Sequence, residues 1–227
     1  MRKLALLAVV AFAAACGSSS TPSSTEARIS GQVSTRVYTS ASQLAVVTSG
    51  DTCTITQAPG FTLGVSLAAV QVSDLAYTCT TSRCLTNARN LRLVIAKVHV
   101  QPAGAANPAP PFTTGTYQLA DLNALGGITP DAAGNIAIFT GDLTTLGAAP
   151  VCDPVANGQY TVGPGSTLTV TSVSGSVLTG NVAVQLMSGS DLADGLIGTF
   201  TTENNCTPSP APSACAQLNE ILNAPKS

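Results

Sequence analysis

The chain reads as an all-β protein, an antiparallel β-sandwich or barrel with a short C-terminal helix. Three observations predict it. Apolar residues recur at period two along most of the chain, the spacing of a strand with one buried face. Clusters of Gly, Pro, Ser, Asn and Asp punctuate these stretches at short intervals. Charged residues make up only 9% of the sequence, against roughly 25% in an average soluble domain. Ser, Thr, Asn, Gln and Gly must therefore form most of the wetted surface, a pattern common in exported β-proteins.

In chain order, Ile29, Gly31 and Val33 alternate with Ser30, Gln32 and Ser34. Leu44–Thr48 forms a second strand candidate that ends at the turn cluster Ser49-Gly50-Asp51. Phe61, Leu63, Val65 and Leu67 keep period two, and Val70 and Val72 follow after an apparent change of phase. Asn90–Gln101 is the strongest single strand. Val94, Ala96, Val98 and Val100 line one face; the other runs Leu91, Leu93, Ile95, Lys97, His99 and Gln101, turning polar halfway, as in a strand that leaves the core at one end. Gln101–Pro111 is rich in Pro, Ala and Gly and reads as a surface loop. Gly115–Leu119 is a short strand, and Asn135–Thr140 another, entered through an Asp131–Gly134 turn.

The clearest unit is a C-terminal meander. Ser166–Val173 and Val177–Met187 flank the hairpin signal Ser174-Gly175-Ser176, and Leu196–Thr202 follows the Ser188–Gly195 loop. Leu168 and Val170 can share a buried face with Val182, Val184 and Leu186, leaving Thr167, Thr169 and Thr171 to solvent. One helix is expected, capped by Ser213, with Cys215, Leu218, Ile221 and Leu222 on one face and Pro225 as its stop.

The N-terminus carries a different message. Arg2 and Lys3 precede an apolar run from Leu4 to Ala15, and Ala13-Ala14-Ala15-Cys16 leads into Gly17. A basic start, a short apolar stretch and small residues before a cleavage point make a secretory signal, too short to span a bilayer of about 30 Å as a helix. The competing reading is an ordinary secretory signal with an incidental cysteine. The stretch resembles the lipobox of bacterial lipoproteins, where a cysteine in this place is lipidated and becomes the mature N-terminus; Ala13 stands where Leu is usual. The resemblance implies a signal peptide over residues 1–15 and palmitate-type acylation of Cys16. Residues 16–27 then form the lipidated cysteine and a flexible tether, 17–27 holding no apolar residue larger than Ala or Pro, and 28–227 a single β-rich domain. Such a tether reaches about 35 Å when stretched, at roughly 3.3 Å per residue.

Loss of Arg2 and Lys3 with the signal takes nine basic side chains to seven, against 11 acidic ones, for a formal charge of −4. That balance offers no footprint for nucleic acid, whose binding rests on Lys and Arg. Of seven cysteines, removing Cys16 leaves an even set: Cys53, Cys79, Cys84, Cys152, Cys206 and Cys215. In an exported chain these imply three disulfides, with 15 possible connectivities. A zinc site is the competing reading, because Cys79 and Cys84 have compatible spacing. There is no second close Cys pair, and the single histidine, His99, lies apart in sequence.

Gly115-Thr116-Tyr117, Leu168–Val173, Leu178-Thr179-Gly180 and Gly198-Thr199-Phe200, closing on Cys206, resemble a loose group of uncharacterised lipoproteins of myxobacteria and related Gram-negative bacteria. The resemblance covers the lipobox, the tether and the stretch Tyr117–Cys206. It implies an envelope location and an all-β fold, and carries no activity. Lipoproteins of this group tend to end the meander on a cysteine, which favours Cys152–Cys206 as a bond closing it at its base. Cys79–Cys84 then forms a local loop and Cys53–Cys215 ties down the helix. A Cys206–Cys215 bond remains the competing pairing.

Chemistry is sparse. No Gly-x-Ser-x-Gly elbow occurs, and a Ser-His-Asp relay would have to use His99, on the polar half of its strand. Asp191 and Asp194 could offer oxygens to calcium, but 6–8 ligands are usual and the loop is thinly acidic. Asp51, Asp131, Asp142 and Asp153 each lie beside turn residues and read as turn formers. The aromatics Tyr38, Phe61, Tyr77, Phe112, Tyr117, Phe139, Tyr160 and Phe200 could form stacking platforms only sparsely. Arg83, Arg89, Arg92 and Lys97 are the one concentration of positive charge, read as a solvated surface. No catalytic residue, cofactor or metal is called for. The expectation is a β-domain anchored to the outer membrane through Cys16, periplasmic or surface-facing, with a non-enzymatic structural or binding role toward a protein or cell-envelope partner. The rival is a secreted hydrolase whose carboxylates lie among the scattered aspartates; a pocket gathering two of Asp51, Asp131, Asp142 and Asp153 would mark it.

Overall fold

The computed structural model describes residues 28–54, 60–76, 84–106, 108–120, 129–148, 151–152, 159–175, 177–202, 213–216 and 218. Within them the chain forms β1 (Ile29–Val33), β2 (Arg36–Thr39), β3 (Ser42–Thr54), β4 (Phe61–Ser73), β5 (Cys84–Leu85), β6 (Arg89–Pro102) and β7 (Gly115–Leu119). These are followed by β8 (Asn135–Thr145), β9 (Val151–Cys152), β10 (Tyr160–Val162), β11 (Thr167–Ser174), β12 (Val177–Ser188) and β13 (Asp191–Thr201). A short helix begins at Ala214. The fold is all-β with a C-terminal helix, as the periodicity predicts.

The main sheet runs β2-β1-β13-β12-β11-β7-β8-β6-β4-β3, and β10 pairs with both β12 and β8. That double pairing closes the ring β8-β10-β12-β11-β7 into a five-stranded barrel. Strand directions cannot alternate around an odd-membered ring, so one neighbouring pair has to be parallel. It is β7–β8, with Gln118 opposite Ile138 and Leu119 opposite Phe139. The expected antiparallel arrangement holds for the other described pairs.

Two antiparallel wings leave the barrel, β6-β4-β3 from β8 and β13-β1-β2 from β12, and they fold onto one another. The Tyr38 hydroxyl on β2 donates to the Val72 carbonyl on β4 at 2.8 Å, and the Thr201 amide on β13 donates to Gln43 Oε1 on β3 at 2.8 Å. Between the wings and inside the barrel lies the main core, which includes Ile29, Tyr38, Val70, Leu93, Phe139, Leu168, Leu186 and Phe200. Each such large side chain contributes about 1.5–3 kcal/mol on burial. A second core, with Leu63, Val65, Leu67, Val94, Ala96 and Val98, occupies the opposite face of β4 and β6, where Ala214 and Leu218 of the helix cover it.

The two cores explain where the strand reading departs from the structure. β4 has no change of phase: it pairs with β6 without a break from Phe61–Pro102 to Ser73–Asn90. Its odd residues Leu63, Val65 and Leu67 face the helix-covered core, and its even residues Ala68, Val70 and Val72 face the main core. The large apolar side chains change face halfway along the strand, whose middle is buried on both sides. β3 does not end at Ser49-Gly50-Asp51 either. It runs on to Thr54 through a register shift between Thr48 and Asp51, so the turn residues form a bulge. Likewise the Ser188–Gly195 loop is a tight hairpin, with Ser188 opposite Asp191 and the next pairs continuing along β13. The Ser174-Gly175-Ser176 turn is as read: Ser174 pairs with Val177, and Gly175 has φ 58°.

One close approach fixes the middle of the meander. A Cβ on Gly180 would overlap the Thr169 carbonyl oxygen and lie 2.6 Å from Phe200 Cζ. The absent side chain makes room for the Phe200 ring in the core.

Candidate functional site

Four groups of described side chains that include a charged residue lie at seams between elements. The first is at Lys97. Its side chain is only 7% exposed, although it sits on the half of β6 that turns polar. Burying an ammonium is costly unless it is paired and hydrogen-bonded. Here Nζ donates to Thr113 Oγ1 at 2.7 Å and lies 3.4 Å from Asp131 Oδ2. Asp131 Oδ1 in turn accepts the Ala133 and Asn135 amides, both at 2.9 Å, and Asn135 Nδ2 donates to both carboxylate oxygens. The Asn135 bonds, with smaller help from Ala133 and Lys97, lower the Asp131 carboxyl to about 2. Tyr117 completes the group. Its hydroxyl donates to the Thr113 carbonyl at 3.2 Å, and burial raises its pKa above the usual phenol value. The arrangement pins the segment before β7 and the turn before β8 onto β6. Lys97 is the donor to Thr113, the reverse of what activation of a hydroxyl nucleophile requires.

The second seam joins the wings. Asp74 Oδ1 accepts the Arg89 amide at 2.7 Å, and Asp74 Oδ2 accepts Arg89 Nε at 2.6 Å. The same guanidinium reaches across to β2, donating from Nη2 to the Val37 carbonyl at 2.7 Å, and stacks over the Tyr38 ring at 5.3 Å from its centroid.

The third seam fastens the helix. Asp51, in the β3 bulge, accepts the Ser213 hydroxyl and the Ala214 amide, both at 2.8 Å. Beside it Cys53 and Cys215 form a disulfide with a Cα–Cα distance of 5.5 Å. The helix was expected to be capped by Ser213 itself; the accepting oxygen comes from Asp51, with Ser213 as a donor to it. Ile221, Leu222 and Pro225 lie outside the described residues.

The fourth is the β1–β2 turn. Ser34 and Thr35 have φ 49° and 64°, left-handed values rare for residues with a Cβ. Asp194 on β13 accepts the Ser34 amide at 2.6 Å, and the Ser34 hydroxyl hydrogen-bonds the Tyr160 hydroxyl of β10. Neither Gly nor Asn marks this hairpin in the sequence, which is why it escapes a turn reading. Asp194 is thereby a turn clasp, and the calcium reading of Asp191 and Asp194 gains no further oxygen ligand among the described contacts.

The predicted site residues are thus scattered. Asp131 binds its own turn. Asp142 lies inside β8 opposite Arg92 and not in a turn; it stands seven residues along the strand from Asn135, roughly 23 Å at about 3.3 Å per residue. Asp51 faces the helix end on the far side of β4. Asp153 falls outside the described residues. The structure brings no two of Asp51, Asp131 and Asp142 together. The positive group is not a solvated patch: Arg89 and Lys97 are both committed to internal pairs, and Arg83 lies outside the described residues. His99 is half-buried; Gly134 is placed so that an added Cβ would come 3.6 Å from its Nε2. Among the described residues no group of three or more His, Cys, Asp or Glu side chains is placed to hold a metal, and no helix is long and apolar enough to cross a membrane. Cys16, Cys79 and Cys206 lie outside the described residues.

Among the described residues one broad face open for contact is the outward side of the sheet from β7 across to β2. Its cross-strand rows read Thr116, Thr169, Asn181, Thr199 and then Thr167, Ala183, Ile197, Ser30, Thr39. A third row holds Gln185, Gly195, Gln32 and Val37. None of these residues is charged, and Ile197 and Val37 stand 66% and 71% exposed among the hydroxyls and amides. Compared with protein-family models, curated proteins and solved structures, the chain matches none.

Proposed function

We propose that this protein is a lipoprotein of the bacterial envelope, a β-domain held to the outer membrane by acyl chains on Cys16, with a structural or binding role and no catalysis of its own. The observation that carries the reading is the N-terminal order of parts: basic start, Leu4–Ala15, small residues, Cys16 and a polar tether to residue 27 that leads directly into β1. Three acyl chains exceed the two signals needed for stable attachment, at about 0.8 kcal/mol per buried CH₂. The tether emerges where Ile29 enters the sheet, so the domain rides within a few tens of ångströms of the bilayer. The rest of the molecule suits such a role. Lys97, Arg89, Asp51 and Asp194 are engaged in holding segments together, and the rows of the broad face from β7 to β2 carry hydroxyls, amides and apolar side chains without a charge.

Cys16→Ser tests the anchor. Metabolic labelling with palmitate should mark the parent protein and not the variant, and fractionation should find the variant released from membranes or arrested before processing. Equal labelling and equal membrane recovery would refute the proposal.

A further inference from the structure

We propose that Cys84 and Cys152 form a disulfide, a cross-link that differs from the pairing the sequence favours for both residues. The argument is one of backbone register. β6 and β8 pair continuously from His99–Asn135 to Arg89–Thr145. Beyond Arg89 the two chains stay together: the Leu146 amide donates to the Ala88 carbonyl at 2.7 Å, and the Asn87 amide donates to the Gly147 carbonyl at 2.8 Å. After a register shift of two residues the chains pair again as β5–β9, with Leu85 opposite Val151 and Cys84 directly opposite Cys152. Directly opposed residues of an antiparallel pair have Cα atoms about 4.5–5.5 Å apart, inside the 4.4–6.8 Å usual for disulfides, and their Cβ atoms leave the sheet on the same side.

Such a bond would also steady the local structure. β5 and β9 contribute two residues each, and a two-stranded ribbon of ordinary length is already marginal in water. A covalent link at its outer end holds both chains in register and closes a loop of 68 residues that contains β6, β7 and β8. The bond forms by exchange with the disulfide of an oxidant, a dithiol–disulfide carrier or oxidised glutathione. One thiolate attacks the oxidant to give a mixed disulfide; the second displaces it. The two protein sulfurs are oxidised by two electrons in all, the oxidant leaves as two thiols, and both protein protons pass to those thiols. With Cys53–Cys215 in place, the remaining pair is Cys79 and Cys206.

Peptide mapping of the full chain, produced in an oxidising compartment and alkylated without reduction, decides the matter. Cleavage after Lys and Arg and before Asp places Cys79 in 74–83, Cys84 in 84–89, Cys152 in 142–152, and Cys206 with Cys215 in 194–226. The expected product is 84–89 joined to 142–152, separating only on reduction. A 74–83 peptide joined to 84–89, a 142–152 peptide joined to 194–226, or alkylated thiols at both Cys84 and Cys152 would overturn the proposal.

Discussion

Replacing the helix clasp, with Cys53→Ser and Cys215→Ser together, should be among the most damaging changes outside the barrel. The bond spans 162 residues. In the chain-entropy model, closing a loop of that length restricts the unfolded chain by about 5 kcal/mol, and removal of native disulfides typically costs about 2–5 kcal/mol. The helix also loses its covalent hold over the core of Leu63, Val65 and Val94. What then holds it is Asp51 at its first turn and the packing of Ala214 and Leu218. A urea titration of the chain from Gly17 onward, followed by circular dichroism, measures the loss. With a slope of roughly 2 kcal/mol per molar urea, the midpoint should fall by about 1–2.5 M. Leu218→Ala serves as the companion variant: Leu218 is 3% exposed, and truncating a buried Leu costs about 2–5 kcal/mol. A double serine variant within about 0.5 kcal/mol of the parent, beside a Leu218→Ala variant that loses 2 kcal/mol or more, would refute the reasoning. Apolar contact alone would then account for docking, and the long loop would contribute nothing.

Acid sensitivity should track Asp131. Its carboxyl ionises at about 2 in the folded chain against 3.8 ordinarily, so the unfolded chain binds the extra proton. The stabilisation is complete above the ordinary value and is lost as pH falls toward 2; unfolding titrations between pH 5 and 2 should show a shallower fall for Asp131→Asn than for the parent. Gly180→Val should abolish folding or lower the midpoint steeply, because its side chain would strike the Thr169 carbonyl and the Phe200 ring; a variant as stable as the parent would contradict that close approach. Tyr38→Phe removes the bond to the Val72 carbonyl between the wings and should cost about 1 kcal/mol, read from the same urea curves.

The strands were legible where one side chain face stays buried along a whole strand. Leu168 and Val170, and Val182, Val184 and Leu186, alternate because these stretches of β11 and β12 have the core on one side and solvent on the other; the register shifts just beyond them, after Val170 and after Leu186, leave no mark in the pattern. β4 escapes that reasoning because its large apolar residues pass from one face to the other in a segment buried on both, which a period of two can express only as a slip. The β3 bulge was misread for a related reason: Ser49 and Gly50 are turn residues by composition, yet their neighbours remain paired to β4 on both sides. The barrel closure was not legible at all. It depends on β10, three residues long, meeting two partners, and on a parallel contact between β7 and β8 that no local pattern encodes. Of the expected disulfides Cys53–Cys215 is present. Its physical basis lies in the β3 bulge and the helix start, which the sequence sets 162 residues apart.

The charged residues were misjudged for a reason that can be turned into a rule. In a domain with ordinary charge content most Lys, Arg and Asp side chains are solvated, and treating Arg89, Lys97 and the aspartates as surface or turn residues follows that expectation. In this chain the surface is carried by Thr, Ser, Asn and Gln, as the rows from Thr116 to Thr39 show, so solubility does not require the few charges to be there. A charge that is not needed for solvation and sits within or beside a strand pattern is then a signal of a specific partner. Arg89 finds Asp74 and the β2 carbonyls, Lys97 finds Thr113 and Asp131, and Asp51 finds the helix end. Two of them reach another layer, Arg89 to the β2 carbonyls and Asp51 to the helix, while Lys97 and Asp74 tie down the segments at the ends of paired strands. Arg92 and Asp142, opposite one another inside the β6–β8 ladder, show the same economy within a sheet: where charge is scarce, an ionic residue inside a strand pattern points to a partner on the neighbouring strand.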